Sequence, residues 1–289
     1  MAGTLKYMVT GASGQLGALA VDELLAKAPA AEVGALVRRA EAAAPLEAKG
    51  VTVRVASYDD PAALNAALDG VERLLLVSSS EVGKRAAQHA NVIDAANAAG
   101  VGFVVYTSIL GAEGSPLTVL PGEHVATERA LAASGLAYAV LRNGWYTENY
   151  TMGVATSLEH GGMIGAAGEG RIASATRADY AAAAAAVLTG ELPASGTIYE
   201  LAGDDAFTLT DFAAALSELS GKTVGYTNLP PEDYAAALEG AGLPEPVAAM
   251  LADSEKGAAQ GGLYSDDKTL SRLIGRPTTP WRETLKAAL

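Results

Sequence analysis

The sequence contains no cysteine, and this absence excludes several kinds of chemistry at once. A chain without thiols has no disulfide framework, no thiolate nucleophile and no zinc or iron–sulfur site built on cysteine ligands. Its three histidines, His89, His124 and His160, form no H-x-x-x-H pattern, so we expect no metal site. The lack of cysteine also fits a cytoplasmic protein.

Positive charge is scarce as well, because 20 Lys and Arg face 33 Asp and Glu, for a net charge of −13. Proteins that bind nucleic acid or anionic membranes gather basic residues on one face, since phosphate neutralisation supplies their affinity. Here the only short basic runs are Arg38-Arg39 and Lys84-Arg85. We therefore expect neither nucleic acid nor membrane as a partner, and any anionic ligand needs a locally positive site.

Long apolar runs are missing too. No stretch approaches the roughly 18 apolar residues that span a bilayer, and glycines interrupt the first segment before a secretory apolar core could form. With only three Phe and two Trp, the core must be built from small aliphatic side chains. Half of the 289 residues are hydrophobic, which is typical of a globular chain with one large or two modest domains.

Short aliphatic runs alternate with helix-period segments through the first half of the chain. Gly70, Gly100 and Gly135 each close such a helical segment just before the next run. Runs that are apolar throughout indicate strands covered on both faces, and their alternation with helices indicates parallel βαβ units. We therefore predict an α/β fold with a doubly wound parallel Rossmann sheet. The six predicted strands are residues 5–10, 33–37, 51–55, 71–77, 101–107 and 137–141.

The rhythm changes after the sixth strand, where residues 150–172 are rich in Gly, Thr and Met. We expect residues 1–150 to form the Rossmann domain and residues 151–289 a smaller, mostly helical substrate-binding lobe. A helix at 179–189 is expected to pack back on the first domain. The lobe's further predicted elements are a strand at Thr197–Leu201, helices near 210–220, 231–240 and 244–256, and a last helix from Pro280.

A glycine-rich turn follows the first strand directly. Gly11 permits a tight turn, Gly14 lets a pyrophosphate approach the backbone, and Gly17 lets helix and strand pack closely. The helix that begins there offers free N–H groups to phosphates. A merely structural turn is the alternative, but the position at the first strand of a βαβ series favours a dinucleotide. The expected cofactor-binding residues are Gly11, Ala12, Ser13, Gly14, Gln15, Leu16 and Gly17.

The end of the second strand indicates which dinucleotide is bound. An NAD site places Asp or Glu there, about twenty residues after the glycine turn, to hold the ribose 2′-hydroxyl. This sequence has Arg38-Arg39 instead, and a guanidinium is well shaped for phosphate. We expect Arg38, the first residue after the strand, to bind the 2′-phosphate of NADP or NADPH. The alternative is a solvated arginine pair that opens a loop.

Hydroxyl side chains follow two further strands, at the edge where open α/β sheets bind ligands. Ser78, Ser79 and Ser80 come after the fourth strand, and Thr107 comes at the end of the fifth. We expect these residues to line the cofactor, and the alternative for each is a loop cap.

Several longer stretches resemble one family. They read GASGQLG, VSSSEVGKRAAQHANVIDAA, YTSILGA, LRNGWYTENY, GAAGEGRIASATRADYAAAAAAVL and SDDKTLSRLIGRPTTPWRETL. Together they resemble the NmrA-like branch of the atypical short-chain dehydrogenase/reductases, and within it the bacterial type 2 NADPH:quinone oxidoreductases. Triphenylmethane reductases are close relatives of these. The resemblance covers essentially the whole chain.

This resemblance implies an NADPH-dependent reductase that passes a hydride from the nicotinamide to a small quinone. It also implies that the glycine-rich stretch ending in Arg171, where related sequences commonly have lysine, closes over the cofactor. The residues implied at the nicotinamide end are Arg142, Asn143, Gly144, Trp145 and Tyr146.

The Tyr-x-x-x-Lys pair of typical short-chain dehydrogenases is missing. The corresponding segment, residues 122–128, carries His124 and Glu128 at the same spacing. His124 is either a proton donor in the substrate pocket, oriented by Glu128, or part of a pair with no chemical role. We favour the second, because a quinone accepts a hydride without a strong acid.

The side chains of the LRNGWYTENY stretch suggest other catalytic groups. Asn143 and Tyr146 are expected to donate hydrogen bonds to a developing oxyanion. Tyr146 stacking on the nicotinamide is an alternative for that residue. Trp145 either walls the substrate pocket or packs in the core.

Two further functions stay open. One is an NADP-binding redox sensor without turnover, and the other is a reductase of different conjugated acceptors, such as triphenylmethane dyes. Residues 143–146 favour a protein with an acceptor site over a sensor. A homodimer would be indicated by an apolar outer face on the helix of residues 85–99.

Overall fold

The computed structural model describes residues 5–289 and divides into two compact units. Unit 1 comprises the described residues up to Ile109, with Glu123–Arg142 and Arg177–Tyr199. Unit 2 comprises Leu110–Gly122, Asn143–Thr176 and Glu200–Leu289. The chain thus passes between the units several times. The division differs from the single boundary expected at residue 150, because distant segments of the sequence pack together.

The main sheet has seven strands, β1 (Leu5–Val9), β2 (Val33–Val37), β3 (Thr52–Val55), β4 (Val71–Leu76), β5 (Phe103–Ile109), β6 (Tyr138–Asn143) and β8 (Thr197–Leu201). They lie in the order β3-β2-β1-β4-β5-β6-β8. The pairs β1–β2, β2–β3, β1–β4 and β4–β5 are parallel. The doubly wound sheet is therefore confirmed, with one strand more than the six predicted, because Thr197–Leu201 joins its edge as β8.

Helices connect the strands of the sheet and are the main secondary structure of unit 2. No helix within residues 5–289 combines the length and the hydrophobicity needed to cross a bilayer. The helices are α1 (Gln15–Leu25), α2 (Ala44–Glu47), α3 (Pro61–Leu68), α4 (Arg85–Ala98), α5 (Leu120–Ala133), α6 (Glu148–Thr151), α7 (Val154–His160), α8 (Arg177–Thr189), α9 (Leu209–Ser220), α10 (Pro231–Gly240), α11 (Glu245–Ala259), α12 (Thr269–Ile274) and α13 (Trp281–Ala287).

One face of the sheet carries the largest apolar cluster. Leu74 and Leu76 on β4, and Val104 and Tyr106 on β5, are fully buried and alternate along their strands. Alternate residues of a strand point to the same face, so these side chains meet the apolar residues of α3 and α4 there.

On the opposite face, α1 and α8 pack against each other. Alanines on both helices, such as the buried Ala20 on α1 and the alanine run of α8, let the two helices approach closely. The guanidinium of Arg73 donates to the carbonyls of Leu188 (2.5 Å) and Gly190 (3.3 Å). A cation at this end of α8 satisfies carbonyls that the helix leaves unpaired. The helix predicted at 179–189 therefore lies in unit 1, against α1.

Unit 2 contains a second, two-stranded parallel sheet of β7 (Gly162–Gly165) and β9 (Gly225–Asn228). These four-residue strands are rich in glycine or polar residues, so they carry no clear period, and neither strand was predicted. An aromatic cluster of Tyr150, Phe207, Phe212 and Trp281 forms part of its core, with neighbouring ring centroids 4.8–6.0 Å apart.

The alanine run of α8 leads to a prediction about packing. Replacing the buried Ala184 by leucine adds three carbons to a tightly packed interface, and overpacking of this kind costs about 1–3 kcal/mol. We expect Ala184→Leu to lower the free energy of unfolding in urea by that amount. Ala186→Leu is the matched control, because Ala186 is partly exposed. Equal effects of the two substitutions would contradict close packing at this helix.

Candidate active site

Four strand ends bring the expected cofactor residues of unit 1 to one edge of the sheet. The strands β2, β1, β4 and β5 are parallel neighbours, so their carboxyl ends meet there. The chain order reverses between β1 and β4, which is where open α/β sheets bind ligands. The structure places residues 11–17 after β1, Arg38 after β2 and residues 78–80 after β4, and Thr107 lies near the end of β5.

The β1–α1 turn is a bare backbone cradle. Gly11 has a φ of +58°, and a Cβ at Gly17 would collide with the carbonyl of Gly11. Gly14 is the N-cap of α1 and has no side chain, so no side chain caps the first N–H groups of this helix. The amide of Ala12 donates to Leu36 O (3.1 Å), which ties the turn to β2. A side chain would fill this cradle, and its chemistry fits a pyrophosphate.

Thr10 holds β1 and β4 together where the strand order reverses. Its hydroxyl donates to Leu75 O (3.2 Å) and accepts from Val77 N (3.0 Å) and from the Tyr58 hydroxyl (2.5 Å). The Tyr58 hydroxyl oxygen also lies 3.0 Å from Val77 O, so its single proton is shared between this carbonyl and Thr10. Tyr58 could not be identified from the sequence, because a tyrosine after the third strand carries no local sign of a partner 48 residues away.

The loop after β4 is bonded to its neighbour in the same way, since Ser78 N donates to Thr107 Oγ1 at 2.9 Å. The Ser79 hydroxyl donates to Gln88 Oε1 (2.5 Å) and accepts from Glu81 N (3.2 Å). Two of the expected cofactor residues, Ser78 and Thr107, are thus in direct contact.

Arg38 lies at the surface and pairs with an acidic residue. Its Nη1 is 2.5 Å from Glu81 Oε1, and Lys84 Nζ is 3.3 Å from Glu81 Oε2. Two cations therefore converge on one carboxylate beside the strand ends, in a chain that is strongly acidic overall. Glu81 was not identified from the sequence, because it is 43 residues from Arg38 and lies in a polar loop.

A buried hydrogen-bond network is connected to the loop that follows β4. Ser79 N donates to His89 Nε2 (2.9 Å), so Nε2 accepts and the ring proton lies on Nδ1. Nδ1 then donates to Thr127 Oγ1 (2.9 Å), and Thr127 donates to Glu123 O (3.0 Å). Burial, with the charge of Arg85, lowers the pKa of His89 to about 3. His89 is therefore neutral at physiological pH.

His124 is 6% exposed, and its Nδ1 lies 2.7 Å from the Tyr106 hydroxyl. Burial lowers its pKa well below the ordinary value, and the nearby Arg85 and His89 lower it further. The imidazole is thus neutral and is bonded to Tyr106. It is not a ready proton donor, which agrees with the interpretation favoured from the sequence. Its placement in the substrate pocket stays a prediction.

Glu128 has partners other than His124. Arg142 donates from Nε to Oε1 (3.0 Å) and from Nη2 to Oε2 (2.6 Å), and Ser108 donates to Oε1 (2.5 Å). A two-point pair of this kind is a strong and directional interaction. It fixes the guanidinium of Arg142, which the family resemblance placed at the nicotinamide end, against α5.

Asn143 ends β6 in unit 2 and is 4% exposed. Its backbone carbonyl accepts from Leu110 N at 2.9 Å, but neither Oδ1 nor Nδ2 of its carboxamide has a hydrogen-bond partner. An unpaired buried polar group lowers the free energy of unfolding by about 1–3 kcal/mol. In native proteins such groups commonly bind a ligand or an ordered water. The residues around this carboxamide are therefore the best candidate for the reacting part of the site.

The neighbours of Asn143 are held by backbone bonds within unit 2. Gly144 N donates to Leu201 O (2.7 Å), and Ala175 N donates to Trp145 O (3.1 Å). Tyr146 forms a parallel bridge with Ala175. The segment of residues 172–176 thus frames the stretch that contains the expected substrate residues.

Arg171 precedes that segment and lies over an aromatic ring. Its guanidinium carbon is 4.3 Å from the centroid of the Tyr264 ring, and Nη1 donates to the Tyr264 hydroxyl at 3.0 Å. The cation is therefore held at the end of the glycine-rich stretch in a defined place.

The chain belongs to the NmrA-like family, whose sequence profile matches residues 4–277. It is 57% identical over 277 residues to quinone oxidoreductase 2 of Escherichia coli (strain K12), covering 96% of each chain. The crystal structure of an NADPH-dependent quinone oxidoreductase from Escherichia coli, complexed with NADPH, has a TM-score of 0.94 at 56% identity. That alignment covers 97% of this chain and 99% of the other.

A triphenylmethane reductase of Citrobacter sp., complexed with NADP(H), is also similar. Its structure has a TM-score of 0.94 at 38% identity, and the alignment covers 98% of this chain and all of that one. The family resemblance and the Rossmann-like fold inferred from the sequence are both confirmed.

The histidine network leads to a prediction that nitrogen NMR can check. We expect His89 to be neutral and protonated on Nδ1, and to show no titration between pH 5 and 8. Because its folded-state pKa is depressed, its contribution to stability is complete above about pH 6.5 and declines as the pH falls below that. His89→Gln is expected to remove this part of the pH dependence. Titration of His89 near pH 6.5 in the folded protein would contradict the network.

Proposed function

We propose that this protein is an NADPH-dependent quinone reductase that transfers a hydride directly to its acceptor. The similarity to a quinone oxidoreductase over nearly the whole chain supports the reaction class. The observation that carries the proposal in the structure is the buried carboxamide of Asn143, whose two polar atoms have no protein partner. This group is suited to contact a nicotinamide or the oxygen of an acceptor.

Unit 1 would hold the adenosine and pyrophosphate end of NADPH. The backbone of residues 11–17 offers N–H groups to the pyrophosphate, and Ser78, Ser79, Ser80 and Thr107 line the adjoining strand ends. Arg38 would bind the 2′-phosphate in place of Glu81, and Lys84 would supply a second cation at the same point. A phosphate with two negative charges competes well with one carboxylate for this pair.

The family resemblance assigns residues 142–146 to the nicotinamide end. The backbone of Asn143, Gly144, Trp145 and Tyr146 is held by hydrogen bonds and a bridge, so it needs little reorganisation on binding. Arg142 contributes by fixing the end of β6 through its pair with Glu128. The stretch ending in Arg171 closes over the cofactor.

NADPH supplies the hydride when it is bound. The Asn143 amide and the Tyr146 hydroxyl donate hydrogen bonds to the quinone oxygen as negative charge develops on it, and such donors accelerate reactions when they are preorganised. Trp145 walls the acceptor pocket. Since His124 is neutral and bonded to Tyr106, the proton comes from water.

Other conjugated acceptors are a second candidate, because the structure of a triphenylmethane reductase is as similar in fold as that of the quinone oxidoreductase. A redox sensor would bind NADPH without oxidising it. For a quinone reductase and for a reductase of other conjugated acceptors, the acceptor is a small molecule.

A homodimer and a cytoplasmic location stay predictions. The exposed positions of α4 include Ala87, Asp94 and Asn97, which are small or polar.

The role of Arg38 can be tested by the oxidation of NADPH and NADH with 1,4-benzoquinone, followed at 340 nm. We expect Arg38→Ala to raise the KM for NADPH about tenfold or more, the effect of losing one charged hydrogen bond. The kcat and the KM for NADH should be unchanged. Arg39→Ala is the matched control and should leave all of these constants as they are. Oxidation of NADPH by no acceptor, despite tight binding, would favour the sensor.

The role of Asn143 can be tested with two substitutions. Asn143→Asp keeps the shape but replaces the NH2 donor by an acceptor, and Asn143→Ala removes the group. We expect both to lower kcat with benzoquinone about tenfold or more, because a preorganised donor to a developing oxyanion is lost. NADPH affinity, measured separately by fluorescence titration, should fall less. An unchanged kcat in either variant would overturn the assignment.

A further inference from the structure

The glycine-rich stretch of unit 2 lies directly against helix α11. A Cβ at Gly165 would collide with Glu255 Oε2, and a Cβ at Gly170 would collide with the carbonyl of Ala258. Both contacts are on one face of α11, because positions three apart on a helix are neighbours. The absence of side chains at these two glycines of the GAAGEG motif therefore lets the stretch pack directly against α11.

The amides between these glycines bind polar side chains of unit 2. Ala166 N donates to Glu255 Oε2, and Ala167 N also donates to this carboxylate. Gly168, with a φ of +53°, donates to Asn228 Oδ1 at 2.8 Å. Successive N–H groups that converge in this way form a concave anion site, and the Glu255 carboxylate occupies it.

Glu255 is buried, with 9% of its surface exposed, although it belongs to a residue type that is almost never buried without partners. The Tyr234 hydroxyl also donates to the carboxylate. Nothing in the established reaction class needs a carboxylate at this place. We infer that Glu255 is a positioning residue, whose ionised carboxylate holds residues 165–171 in the conformation that receives NADPH.

This inference rests on the proposed function, and its reason is the number of hydrogen-bond donors. Three donors, from Ala166, Ala167 and Tyr234, point at one carboxyl group. An ionised carboxylate accepts all of them, whereas a protonated carboxyl must itself donate and loses one acceptor site. Protonation of Glu255 therefore loosens the segment that carries Arg171 and leads into residues 172–176.

The protonation step falls in the physiological range. Burial raises the pKa of Glu255 to about 7, although the bonds from Ala166, Tyr234 and Ala167 oppose this. The titratable groups that face it are Tyr150 on α6, Tyr226 on β9 and Tyr234 on α10, and Glu169 lies near Tyr226. The pKa of each tyrosine is raised, that of Tyr226 to about 12, so these hydroxyls stay neutral between pH 6 and 8.5.

Stability and cofactor binding should respond to pH in opposite directions. Because the folded-state pKa is raised, the contribution of Glu255 to stability is complete below its ordinary pKa near 4.5 and is lost as the pH rises through about 7. NADPH binding should instead strengthen over the same rise, because the carboxylate then holds the loop. A merely structural residue would change both quantities together.

The experiment measures the Kd for NADPH by fluorescence titration, and the midpoint of thermal unfolding, from pH 6 to 8.5. Glu255→Gln has a single acceptor oxygen at every pH, as the protonated carboxyl group does. We therefore expect this variant to bind NADPH about tenfold more weakly than the wild type at pH 8 and about equally at pH 6. The pH dependence that remains in this variant is that of the cofactor's own phosphate. Glu245→Gln, an exposed position on α11, is the control and should match the wild type.

Tyr234→Phe provides an independent variant. Its hydroxyl lowers the pKa of Glu255, so its removal should move the midpoint of the Kd curve to higher pH. A constant ratio of Kd between Glu255→Gln and the wild type across the pH range would overturn the inference, as would weaker binding that simply follows lost stability. NADPH binding without quinone turnover would overturn the proposed function alone, and absence of NADPH binding by the wild type would overturn both.

Discussion

The parallel pairing of β1 with both β2 and β4 is the constraint on which the site of unit 1 depends. Parallel strands need crossover connections, so every strand of this set ends at the same edge. Thr10 fixes that edge where the strand order reverses, through bonds to Leu75, Val77 and Tyr58. The glycine turn, Arg38 and the serine loop are then brought together by the sheet itself, although they are far apart in the sequence.

Local signals were sufficient for much of the fold. The glycine turn, the strands at Val33–Val37 and near residues 71–77, and four helices of unit 2 carry their own periods, caps and turn residues, and the structure places elements there. The short helices α6, α7 and α12 were not predicted. The edge strand Thr197–Leu201 was also found, but its place in the main sheet was not. A short run with half-exposed residues does not show which strand it will pair with.

The site was less accessible from the sequence, because its side-chain partners are distant along the chain. The approach of Glu81 to Arg38, and of Glu128 to Arg142, depends on how the strands are ordered and not on any motif. The His124 and Glu128 spacing suggested a pair, but burial directs them to Tyr106 and Arg142 respectively. Which atoms lack partners, as in Asn143, is visible only in three dimensions.

Burial acts on the ionisable groups of both units in one sense, toward the neutral form. It lowers the pKa of His89 and His124, and it raises that of Glu255. The two histidines are therefore neutral, and they form hydrogen bonds in that state. Glu255 is opposed by backbone amides, which leaves it balanced between two charge states.

The packing of α1 against α8 has a consequence for the order in which the chain can fold. Helix α1 begins at Gln15, whereas its partner begins at Arg177, so synthesis of most of the protein separates the two. Until α8 emerges, the apolar side of α1 and one face of β4 and β5 are exposed to water. A nascent chain that has reached residue 150 contains the glycine turn and six strands, but it lacks α8 and so cannot complete the core of unit 1. During this interval the chain is most exposed to aggregation and to chaperones.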